Sequence, residues 1–104
     1  MKRQERSHDR DRAIEQLYEA ILGLEGVADC RDFFDDICKK AEIEEISRRF
    51  LAAMMLKDNA SYLEVAEITG LSTATISRVS RALKNGKGGY ARALARLAKK
   101  DEVT

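Results

Sequence analysis

Thr73, Ser77, Arg78, Arg81 and Lys84 fall within one short stretch of the chain, and on an α-helix they share one side with the small Ala74. That side is graded. Hydroxyls and a methyl come first, longer bases follow, and no acid interrupts them. The chemistry open to such a surface is hydrogen bonding to base edges and ion pairing with phosphate. Short side chains at its leading end would let the backbone come close to the floor of a major groove. Thr75 adds a further hydroxyl at the same end. A surface of this kind reads DNA only if its neighbours hold it outward.

The flanking residues have the types that would do so. Ser61 followed three positions later by Glu64 is a capping-box pattern, so a helix is expected from about Ser61. Gly70 stands where a helix ending after Thr69 needs a residue with positive φ, and Leu71 behind it can fill the corner with apolar surface. Ser72 is a second N-cap candidate. From there Ile76, Val79, Ser80 and Leu83 follow helical spacing and form the inward stripe opposite the graded surface. Small Ala66 suits the crossing of the two helices. The segment 61–84 therefore reads as a helix-turn-helix, with Ser61 and Ser72 at helix starts, and Lys84 and Lys87, placed to meet phosphates. A plain helical hairpin with a solvated polar face is the competing reading. Agreement among cap, turn, stripe and acid-free face weighs against it.

Composition carries the reading to the whole chain. With 104 residues, no proline and 36% charged residues, the chain points to a single all-helical domain. The net charge of +1 averages two unlike regions: from Leu71 to Lys100 every formal charge is positive, whereas before it acids outnumber bases. Such asymmetry fits a polyanion on one side. About six helices are expected. Residues 1–12 form a charged arm in which Lys2, Arg3, Arg6, Arg10 and Arg12 alternate with Glu5, Asp9 and Asp11, a solvated pattern. Ile14, Leu17, Tyr18, Ile21 and Leu24 then make a helical stripe over about 9–24, closed near Gly23 and Gly26. Helices over about 28–40 and 42–57 carry Phe33, Phe34 and Ile37, then Ile43, Ile46, Phe50, Leu51, Met54 and Met55. Asp58 and Asn59 stop the latter. Gly86, Gly88 and Gly89 break the chain before a last helix over about 90–100 with Tyr90, Ala93, Leu94 and Leu97.

The apolar surface along 13–58 is wide for so short a unit, and a two-helix reader is too small to stand alone. Burial shared between two chains answers both, and would set two reader helices about one DNA turn, roughly 34 Å, apart on a near-palindromic site. Other functions find less support. No stretch has the length of a membrane span and no secretory signal opens the chain, so a cytoplasmic location on the bacterial nucleoid is expected. Cys30 and Cys38 lie eight residues apart in one expected helix, too far for an internal bridge, and His8 in the arm has no partner for catalysis. Neither a metal nor a cofactor is expected. Nucleophile, base and orienting group cluster nowhere. RNA recognition is disfavoured by the few aromatics and by the narrow major groove of A-form helices. A rival that remains is a helical module docking a protein of the transcription machinery.

These residues resemble the Trp repressor superfamily, and within it the YerC/YecD type. The resemblance spans about 14–97 and is densest over RRFLAAMMLKDNASYLEVAEITGLSTATISRVSRALK, with ATISR its most specific part. It implies an all-α fold, an intertwined homodimer and binding of double-stranded operator DNA. In tryptophan-sensing members the corepressor lies between reader and dimer body, flanked by two arginines matched here by Arg48 and Arg78. A glycine and a serine of that cleft are matched by Val79 and Ala82. Two valine methyls would intrude on the indole, and Ala82 has no acceptor for an ammonium group. The resemblance thus implies an effector cleft at Arg48, Arg78, Val79 and Ala82 that is ill suited to free tryptophan, with Val79 filling the gap.

Overall fold

The computed structural model describes residues 3–103, with side chains from 7 to 101. Among them are six helices: α1 (Arg3–Leu22), α2 (Gly26–Ile37), α3 (Lys40–Lys57), α4 (Tyr62–Thr69), α5 (Thr73–Asn85) and α6 (Gly89–Val103). No strand occurs among the described residues. The chain divides into two compact units, one up to Lys39 and one from Lys40 onward, a division that falls inside the 13–58 segment.

The first unit holds α1 and α2. The charged arm is already helical at Arg3, several residues before the expected start near Asp9, because Arg, Gln and Glu are good helix formers and no glycine or proline interrupts them. Residues 1 and 2, and the side chains up to 6, lie outside the described set, so the bases Lys2, Arg3 and Arg6 are not placed. α2 begins two residues earlier than expected. Glu25 is its N-cap residue, and the carboxylate of Asp29 in the first turn accepts the Glu25 N–H at 2.9 Å. The helix ends at Ile37, so Cys38 is its C-cap residue and does not share the helix with Cys30; both thiols are free and half-buried. Phe33 and Phe34 meet edge to face, ring centres 5.3 Å apart. No residue of 7–39 is buried. The stripe expected to be core in α1 is only partly covered: Ile14 and Tyr18 are 48% and 56% exposed, and Leu17, Ile21 and Leu24 are half-buried.

The second unit has a true core. Ala52 and Ala53 of α3, Val65 of α4, Leu71 of the turn, Ile76 and Val79 of α5 and Leu94 of α6 are buried, with Phe50, Met54, Met55, Leu83 and Tyr90 packed around them. The apolar positions expected to anchor α3 are not the deepest ones. Ile46 and Leu51 are exposed and Phe50 is half-buried, while the two alanines have no exposure. Side chains of one carbon let α4 and α5 approach α3 closely, and larger residues are displaced to the rim of that contact. α3 stops as expected. Asn59 takes φ 66°, a conformation that asparagine tolerates, and the Ala60 N–H donates to the Met55 carbonyl at 3.0 Å.

Candidate nucleic-acid interface

Two serines set the frame of the helix-turn-helix. The Ser61 hydroxyl accepts the Glu64 N–H at 3.1 Å, so α4 starts where the capping pattern puts it. The return half of the capping box is not made: among the described residues no hydrogen bond links the Glu64 carboxylate back to Ser61. At the start of α5, Ser72 accepts the Thr75 N–H at 3.2 Å and donates its own hydroxyl proton to Thr75 Oγ1 at 3.0 Å. Thr75 is thereby partly spent on the cap and is half-buried. Between the helices Gly70 has φ 72°, a left-handed conformation that costs an L-residue about 1–2 kcal/mol, and its N–H donates to the Ala66 carbonyl.

Thr69 was not singled out from the sequence, yet it clips the corner. Its hydroxyl donates to the Val65 carbonyl at 2.6 Å and accepts the Leu71 N–H at 3.2 Å, with the side chain buried. A threonine directly before the turn glycine is the available signal, since such hydroxyls bond the carbonyl one turn back. With Leu71 tucked beneath the corner and Ile76, Val79 and Ser80 buried, α5 is fixed in rotation. Its other side is therefore forced outward. Thr73, Ala74, Arg78, Arg81 and Lys84 are exposed and Ser77 is half-buried.

The charges on this surface differ from those on α3. Arg48 pairs with Glu44 at 3.7 Å and Glu45 at 3.6 Å, and Arg49 pairs with Glu45 at 3.4 Å. Arg78, Arg81, Lys84 and Lys87 have no ion-pair partner among the described residues, and from Leu71 to Lys100 the chain offers no acid. Uncompensated bases on a helix face whose backbone is held rigid suit phosphate and guanine acceptors.

The four residues of the expected effector cleft lie on two helices, Arg48 on α3 and Arg78, Val79 and Ala82 within about one turn of α5. Arg48 is exposed and engaged by its two glutamates; Arg78 is exposed on α5; Val79, 3% exposed, is part of the core. Ala82 lines an open cavity of about 360 Å³ with Phe50, Lys87, Gly89, Tyr90 and Ala93, and that cavity includes neither Arg48, Arg78 nor Val79. No three His, Cys, Asp or Glu side chains gather at metal-binding distances among the described residues, and none of their helices is long and apolar enough to cross a membrane.

Two short helices joined at a left-handed glycine, the second presenting a basic, acid-free side, define an all-helical protein with a helix-turn-helix. Comparison with known proteins agrees. Residues 12–98 match the Trp repressor protein family. The protein YerC of Bacillus subtilis (strain 168) is 41% identical over 88 residues, covering 85% of both chains. A solved TrpR-like protein from Eubacterium eligens ATCC 27750 superposes with a TM-score of 0.80 at 49% identity, covering 84% of this chain and 90% of its own. A second solved structure, from Staphylococcus aureus, gives 0.78 at 42% identity, covering 83% and 86%. The chain belongs to the Trp repressor family, whose members are helix-turn-helix DNA-binding regulators rather than enzymes.

Proposed function

We propose that the protein is a sequence-specific transcriptional regulator, acting as a repressor, that binds a near-palindromic operator as a homodimer and blocks polymerase by occupying the promoter. The observation that carries this reading is the outward side of α5: exposed Arg78 and Arg81 without acidic partners, on a helix whose rotation is fixed by buried Ile76, Val79 and Ser80. Thr73, Ala74, Ser77, Arg78 and Arg81 face base edges, Thr75 supports the start of the reader helix, and Ser61, Ser72, Lys84 and Lys87 take phosphates. An arginine paired with guanine contributes about 1–3 kcal/mol of discrimination. Arg81→Ala should therefore lower the ratio of operator to random-duplex affinity by roughly 5- to 150-fold, and Lys87→Ala should weaken both duplexes alike and flatten the salt dependence. Anisotropy titrations on an operator selected from random duplexes measure both. Equal losses on the two duplexes for Arg81→Ala would remove it from base reading.

The burial of Val79 supports a second element of this reading, that the reader needs no corepressor. Its side chain already occupies core volume beside Ile76, and Arg48 is held by its own helix. Operator affinity is expected to be unchanged by saturating tryptophan or other free amino acids. A tightening of tenfold or more with any of them would overturn this.

The rival docking module finds its support in the exposed Leu63 and Ile68 of α4, at 70% and 65%. It predicts no salt-sensitive binding to random duplex.

A further inference from the structure

We propose that the DNA-contacting surface does not end with the helix-turn-helix but continues onto α6, where Arg92, Arg96 and Lys99 form a second, sequence-independent contact to phosphates. This rests on the DNA-reader reading above and extends its footprint to a helix outside the motif.

The stripe is laid out by the fold. Leu94, 5% exposed, turns one side of α6 into the core, and at 100° per residue Arg92, Arg96 and Lys99 all fall on the opposite side, exposed. Arg92 and Arg96 stand one turn apart, about 6 Å along the axis. Like charges at this spacing disfavour a helix. α3 shows the alternative open to this chain, in which glutamates neutralise Arg48 and Arg49. α6 places alanine at 91, 93, 95 and 98 and no acid before Asp101, and Arg92, Arg96 and Lys99 have no ion-pair partner among the described residues. A helix that tolerates such repulsion regains the cost when an external polyanion neutralises it.

The connection between α5 and α6 joins this stripe to the reader. Lys84 is in the last turn of α5 and Lys87 in the loop behind it, both exposed. Gly88 has φ 84°, and a Cβ there would come within 2.6 Å of Arg92 Nη1, so the absence of a side chain lets the guanidinium fold back over the loop. Gly86 holds the bend from the other side, since a Cβ would meet the Ala82 carbonyl oxygen at 2.3 Å, a backbone contact that no side-chain rotation relieves. Arg92 thus lies beside the loop that carries Lys87. Bases from Lys84 through Lys99 run without an acid between them. Regularly spaced phosphates of a duplex strand match such a track, and arginine binds phosphate with two parallel donors.

The test compares the full chain with an R92A/R96A/K99A variant on operator and random duplexes between 50 and 200 mM salt. Alanine keeps helix propensity at these exposed positions, and R92Q/R96Q/K99Q serves in its place if melting shows that the first variant unfolds. Each lost phosphate contact lowers the slope of log affinity against log salt by about 0.9, so a reduction of about 2–3 is expected, equal on both duplexes. An unchanged operator-to-random ratio separates this from Arg81→Ala. A folded variant with wild-type affinity and slope would overturn the proposal and reassign the stripe to an acidic protein surface. Failure of the wild-type chain to bind any duplex would instead overturn the DNA-reader reading beneath it.

Discussion

Ile76→Ala is expected to destabilise the second unit by about 2–5 kcal/mol, the cost typical of emptying a fully buried aliphatic site. Domains of this size have only about 5–15 kcal/mol in total. Ile76 is the largest side chain in the core with no exposure, and among the described residues the other buried apolar side chains are Ala52, Ala53, Val65, Leu71, Val79 and Leu94. The surroundings have little to fill the hole with, because the two buried residues that α3 gives to this core are alanines. Loss of Ile76 also frees α5 to rotate, so DNA binding should fall at temperatures where the protein is still folded. Ile76→Val, costing about 0.5–1.5 kcal/mol, is the graded control. Urea denaturation followed by circular dichroism reads both. A loss below about 1 kcal/mol for the alanine variant would mean that α5 is anchored by something other than this contact.

The second large effect concerns assembly and follows from the proposed homodimer. Ile14 and Tyr18 of α1 are about half exposed, and Leu22 more so, in a unit with no buried residue among 7–39. Apolar surface of this extent on a small unit is characteristic of an interface. An Ile14→Glu/Tyr18→Glu variant should sediment as a single chain. Losing the link between two reader helices removes the gain from joint binding, about 10²–10⁴-fold in operator affinity. Binding to a single half-site should change far less. A variant that remains dimeric, or that keeps full operator affinity as a single chain, would show that α1 is not where the two copies meet.

The helix-turn-helix was legible in the sequence because its signals are local. Ser61 and Ser72 cap by accepting N–H groups three residues on, Gly70 needs only its own φ, and the stripe from Ile76 to Leu83 needs only helical period. What escaped depends on distant partners. Nothing local distinguishes Ala52 and Ala53 as the deepest residues of α3; that depends on how closely α4 and α5 approach. The same limit applies to the stripe of α1, whose period is plain but whose cover cannot be read from one chain. Thr69 lies between: its bond to Val65 is local, but its burial is set by the corner as a whole. The effector-cleft residues are grouped by resemblance alone, whereas the glutamate partners of Arg48 one turn back belong to this sequence's own charge pattern.

The interlocking of α3, α4 and α5 through side chains already withdrawn from water bears on the calorimetry of binding. Val65 and Ile76 have no surface left to desolvate, so recognition would involve no coupled ordering of the motif. The heat-capacity change on meeting an operator should then scale with the newly covered groove contacts alone, and temperature should alter affinity only shallowly. Regulation by such a device would be set by ionic conditions and copy number rather than by a folding step.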